Sequence, residues 1–169
     1  MGFAVKVPTS EAFRAQLIVP EHRQLFDYWL EKSGKKAMPC RDEISPAHFP
    51  RLLPNISLID CEPKTGKFKI RLAGTRLREI FGREITGEYV DTFGIDSAPD
   101  YWSSICQQVK ETTSPAQGIA KSPAGPNDHL VQFWLRLPLG TPSGQVEMLL
   151  ALDTFLPAAE MSELQTICA

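Results

Sequence analysis

Few side chains in this chain are spaced for bond-making chemistry. The histidines are His22, His48 and His129, more than 20 residues apart. None has a metal-ligating neighbour at helical spacing, and no H-E-x-x-H or G-x-S-x-G occurs. Ser33-Gly34-Lys35-Lys36 lacks the upstream glycine of a phosphate-cradling loop, and no G-x-G-x-x-G follows a strand. Cys40, Cys61, Cys106 and Cys168 form no C-x-x-C pair, which predicts reduced thiols in a cytosolic protein rather than disulfides or zinc. Asp42-Glu43 lies among prolines, where solvation is the default for carboxylates. Binding is the chemistry that remains. Tyr101, Trp102 and Cys106 lie along one helical segment and His129 and Phe133 share a strand parity, so these five are the expected lining of a small, mostly apolar ligand site.

The elements that would position them can be read from periodicity. Residues 21–33 carry Leu25, Phe26, Trp29 and Leu30 as one helical stripe ended by Gly34. Pro39, Pro46, Pro50 and Pro54 forbid a long helix and predict short turns. Residues 55–61 and 67–73 read as a hairpin, with Phe68, Ile70 and Leu72 alternating against Lys67, Lys69 and Arg71. Leu77, Ile80 and Phe81 then give a short helix that ends at Gly82. A third helix spans 100–112, and strands follow at 116–121, 129–137 and 145–154. In the fourth strand Val131, Phe133, Leu135 and Leu137 are assigned to the inner face, and Leu130, Gln132, Trp134 and Arg136 to the outer one. Leu149 and Ala151 join that outer face beside Glu147 and Asp153. Residues 158–169 read as a helical tail. Hairpins interrupted by helices imply an α+β fold, an antiparallel sheet with helices over one face.

The chain has 169 residues, the length of one domain. A net charge of −2 and a pI near 5.9 offer no field for nucleic acid or anionic lipid. No apolar run reaches the ~20 residues of a membrane span, and the N-terminus has no signal-peptide core. Gly2 is followed by Lys6 and Val7 where a myristoylation motif wants Ser or Thr.

With their order in view, Tyr28-Trp29-Leu30, Pro39-Cys40-Arg41-Asp42-Glu43-Ile44-Ser45-Pro46 and Leu52-Leu53-Pro54 resemble PAS domains, in particular short, stand-alone bacterial PAS-like proteins. Arg71-Leu72-Ala73-Gly74-Thr75, Phe81-Gly82-Arg83-Glu84, Gly87 and Pro138-Leu139 continue the likeness over roughly residues 22–155. The resemblance implies a five-stranded antiparallel sheet of order 2-1-5-4-3 with helices on one face and an N-terminal flanking helix. It divides the chain into an extension (1–20), one PAS-like domain (21–155) and a C-terminal tail (156–169). It also implies sensing or protein interaction. The Asn-Cys-Arg-Phe-Leu-Gln motif of flavin photosensors is missing, and residues 75–82 and 100–112 hold no histidine for haem. No tightly bound haem or flavin is therefore expected.

The leading expectation is a cytoplasmic, non-catalytic sensory or interaction module that binds a small apolar ligand. No output domain follows residue 155, so signalling is expected to pass through a separate partner. The alternatives are a cavity isomerase or hydratase on a similar sheet, and a ligand-free structural adaptor. Helix 21–33 is expected to pack on the outer sheet face, in its own subunit or exchanged in a homodimer, with Leu25, Phe26, Trp29, Leu30 and Trp134 at that interface.

Overall fold

The computed structural model describes residues 9–93, 98–123 and 125–167. The Gly2 segment, Gly94 and Cys168 lie outside them. Two helices open the chain, α1 (Ser10–Gln16) and α2 (Pro20–Ser33). Thr9 caps α1 by accepting the Ala12 N–H, and Pro20 starts α2 where a missing N–H costs nothing. His22, Leu25, Phe26, Trp29 and Ser33 are the buried side of α2. Phe26 lies 5.0 Å from the Phe13 ring of α1 and 5.9 Å from Trp29, and Arg14 binds Asp27 through both ends of its guanidinium. The proline-rich segment then folds as three short 3-10 turns, Arg41–Glu43, Pro46–His48 and Pro50–Asn55.

Strands β1 (Ile56–Cys61) and β2 (Phe68–Ala73) form a hairpin. Helices α3 (Thr75–Phe81) and α4 (Tyr101–Thr112) follow. Strands β3 (Ala116–Lys121), β4 (Leu130–Gly140) and β5 (Val146–Pro157) then complete one sheet of order β2-β1-β5-β4-β3, with every neighbour antiparallel. A last helix, α5, spans Met161–Ile167.

Both faces of the sheet are covered, and the faces are the reverse of the parity read from sequence. Trp134 of β4 meets Trp102 of α4 with ring centroids 6.0 Å apart. Its even-numbered neighbours Gln132 and Arg136, with Asp153 of β5, line the space under α3 and α4. The odd-numbered side faces α2. Thr154, paired with Phe133 across the β4–β5 ladder, bonds His22 of α2, and the Trp29 indole donates to the Pro138 carbonyl at 2.9 Å. Phe133, Leu135 and Leu137 are buried on this α2 side, each worth about 1.5–3 kcal/mol of apolar burial. Residues 132–140 are buried without interruption, the signature of a strand covered twice. Alternation alone could not say which side was which. Assigning the polar side to the exterior fails because those polar groups pair with one another inside.

Gly82 ends α3 with φ 70° and ψ 7°, and a β-carbon there would touch nothing within 4 Å. The only penalty for alanine is therefore backbone conformation, about 1 kcal/mol. Gly82→Ala should lose that amount in urea denaturation, and Gly82→Asn should lose less, since Asn tolerates the left-handed region. A neutral alanine would refute the cap.

Candidate functional site

A cavity of about 40 Å³ lies between the sheet and the layer of α3, α4 and the turn Val90–Phe93. Most of its wall is apolar. Ile59 and Ile70 rise from β1 and β2, Leu77 and Phe81 descend from α3, and Val90 and Phe93 close one side. Trp102 and Cys106 contribute from α4, one helical turn apart.

One pole of the cavity is polar. Asp153 Oδ1 accepts Gln132 Nε2 at 2.8 Å and Arg136 Nη2 at 3.0 Å. Arg136 Nη1 donates to the Leu135 carbonyl at 3.0 Å. The side chains of Arg136 and Asp153 are only 6% and 5% exposed, so the pair is held in a medium where a lone charge would be costly. The guanidinium also stacks on two indoles, its carbon 5.1 Å from the Trp102 ring and 5.8 Å from Trp134. Trp134 is fixed in turn by donating to the Tyr101 hydroxyl at 3.0 Å. Gly118 of β3 permits that packing, because a β-carbon there would lie 2.5 Å from the Trp134 ring. Asn55 donates to the Asp153 carbonyl at 2.6 Å and anchors β5 at this point.

Of the five ligand residues expected from sequence, the structure brings Trp102 and Cys106 to the cavity wall. Tyr101 stands behind Trp134 and supports it. His129 is exposed in the turn before β4, because the strand begins one residue later than expected and its parity does not extend to that position. Phe133 points to α2 on the far side. The expected interface residues divide in the same way. Leu25, Phe26 and Trp29 are buried by α2 docking within their own chain, and Leu30 is half-buried. Trp134 is on the opposite face and takes no part in that docking. Gln132, Arg136 and Asp153 were missed. Their only trace was an arginine and an aspartate inside two long apolar strands, and polar residues on one strand face read by default as solvent-facing.

The two buried thiols are not poised as nucleophiles. Burial pushes the Cys106 thiol up to about 12 and the Cys61 thiol up to about 11, so neither supplies a thiolate near neutral pH. Among the described residues no three His, Cys, Asp or Glu side chains are grouped to hold a metal ion.

His22, the one buried histidine, lies across the sheet with its Nε2 3.1 Å from Thr154 Oγ1. Burial first, and the Arg136 charge second, push it down from 6.5 to about 3. The unfolded chain therefore binds the His22 proton first, and stability must fall as pH drops from about 6.5 towards 3. The loss should reach roughly 2 kcal/mol between about pH 7.5 and 5. Urea denaturation at both pH values checks this, with His22→Asn expected to remove most of the slope. An unchanged slope in that variant would contradict it.

A family profile described as the PAS domain matches residues 18–152. Comparison with curated proteins finds no match. Among solved structures, one similar chain is a light-oxygen-voltage domain studied with a flavin analogue, at TM-score 0.55 and 10% identity over 72% of this chain and 90% of that one. Another is the light-state Aureochrome1 light-oxygen-voltage domain, at TM-score 0.51 and 9% identity over 73% and 97%. A third is the Rhodobacter sphaeroides light-oxygen-voltage protein, at TM-score 0.50 and 14% identity over 71% and 73%. These identities speak to fold alone. The cavity here, at about 40 Å³, is about an order of magnitude below what a drug-sized ligand fills.

Proposed function

The chain belongs to the PAS-domain family, and we propose from that premise that it is a non-catalytic sensory module whose cavity under α3 and α4 takes a small ligand and whose response passes to a separate partner. The observation that carries this reading is the partly open, mostly apolar cavity with a buried charged pole at Arg136 and Asp153. A packed structural core gains nothing from burying such a pair, because apolar replacements are often as stable. Asp153 also argues against the isomerase or hydratase alternative. Its Oδ1 accepts from both Gln132 and Arg136, which fits a structural anchor better than a catalytic base.

The connectivity supplies a route outward. Asp153 faces the cavity while the next residue, Thr154, bonds His22 of α2. A shift of β5 at the Arg136–Asp153 pair therefore reaches the docked helix within one residue. No helix among the described residues is long and apolar enough to cross a membrane, and we place the module in the cytoplasm on its thiol usage. The sheet face that suggested a homodimer, the Trp134 side, is covered by α3 and α4, and α2 of the same chain covers the other, so a second copy is not needed to cover either.

Native mass spectrometry of protein purified from its own host tests the reading. The expected spectrum carries a small non-covalent adduct that is lost under denaturing conditions. A bare chain that also takes up no added small molecule would contradict it.

A further inference from the structure

The cavity's polar pole specifies a ligand class, an inference that rests on the sensory reading above. Arginine has five N–H donors. Among the described residues Arg136 uses two of them, Nη1 to the Leu135 carbonyl and Nη2 to Asp153, while its buried Nε has no acceptor. Native interiors seldom leave such a donor unmet. Its charge, by contrast, is already balanced by the Asp153 carboxylate at 3.0 Å. An added anion would set a second negative charge beside Asp153 out of water, and an added cation would face the guanidinium. The hydrogen-bonding deficit therefore calls for an acceptor, and the charge balance calls for a neutral one.

Size and wall chemistry narrow the class further. The cavity holds about 40 Å³, where one water needs at least about 10–15 Å³. Its polar lining is limited to Ser57, Gln132, Arg136 and Asp153 among otherwise apolar side chains and one thiol, few partners for several waters when a buried water typically makes about three hydrogen bonds. We propose that the cavity binds a small uncharged molecule with a carbonyl-type oxygen, held by the Arg136 guanidinium, and a short apolar body against Ile59, Ile70 and Leu77.

Three probes of matched size separate the possibilities: 2-butanone, propionate and 2-methyl-1-butene. The readout is the indole N–H signals of the protein's three tryptophans, assigned with single Trp→Phe variants. Trp102 and Trp134 flank Arg136, and Trp29 on the far face is the internal control. The ketone is expected to shift Trp102 and Trp134 saturably and leave Trp29 unmoved. Propionate and the hydrocarbon should each bind at least about tenfold more weakly. In Arg136→Met/Asp153→Leu, which removes the pair without stranding a charge, the hydrocarbon should become the tighter ligand. Should that variant fail to fold, Arg136→Lys keeps the charge opposite Asp153 but has no Nε, and should weaken the ketone about tenfold. Propionate or the hydrocarbon equalling the ketone, or a ketone preference that survives loss of the pair or of Nε, overturns the ligand class and leaves the sensory cavity standing. Saturable shifts with none of the probes overturn both.

Discussion

Replacing Asp153 by alanine is expected to cost about 3–5 kcal/mol of stability. Asp153 is the only carboxylate that the described residues pair with the buried Arg136, and it also accepts the Gln132 amide. Truncation strands a guanidinium in a site that is almost closed to water, and leaves an amide donor without its acceptor. The size of the loss comes from these abandoned groups, not from the worth of the intact pair. For that reason Arg136→Met/Asp153→Leu should recover most of it, since matched apolar side chains in such a site are often neutral or stabilising. Urea denaturation of the two variants gives both numbers. A loss below about 1 kcal/mol for Asp153→Ala would mean that Arg136 reaches solvent and is not buried as described.

Gly74→Ala should be comparably damaging for a different reason. Gly74 has φ −69°, an ordinary value for any residue. Its β-carbon, however, would stand 2.3 Å from the carbonyl oxygens of both Leu53 and Pro54. These are backbone atoms of the 3-10 turn that leads into β1, and they cannot swing aside as a side chain could. The Gly74 N–H also donates to the Ile56 carbonyl at 2.8 Å, so separating the two segments breaks the first contact between the α3 entry and the sheet. A loss of about 3 kcal/mol or more is expected, at the upper end of overpacking, against about 1 kcal/mol for the open, conformational case at Gly82. Denaturation of the two alanine variants side by side would contradict this if the order reversed.

The contrast between those glycines shows what the sequence could and could not convey. Gly82 was legible because a helix stripe ending at Phe81 needs a left-handed cap. Gly74 was visible as a motif residue, but its close approach to residues 53 and 54 depends on how the proline-rich segment folds back. The helices at 21–33 and 100–112, the short helix before Gly82 and the first hairpin were readable from period and punctuation. The sheet order came from the family resemblance. The side of β4 that faces α4 was not readable, since Gln132, Arg136 and Asp153 are polar residues whose partners are other residues of the same buried network. A rule that sends polar residues outward is blind to such pairing until both partners are located. Once the parity was inverted, Phe133 and His129 entered the expected ligand set and Trp134 was assigned to the α2 interface. Trp29 was placed with its own helix stripe, which does dock on the sheet, though its indole meets the Pro138 carbonyl rather than Trp134.

The central claim is that the sheet turns its charged pole towards a ligand cavity and its apolar side towards α2. An atomic-resolution crystal structure of the protein purified from its own host is the most direct test. The account predicts non-protein density against the Arg136 guanidinium beside Trp102, with Phe133 and Thr154 facing α2. A closed interior in which Arg136 Nε bonds to protein, or a sheet with Phe133 turned towards α4, would contradict it.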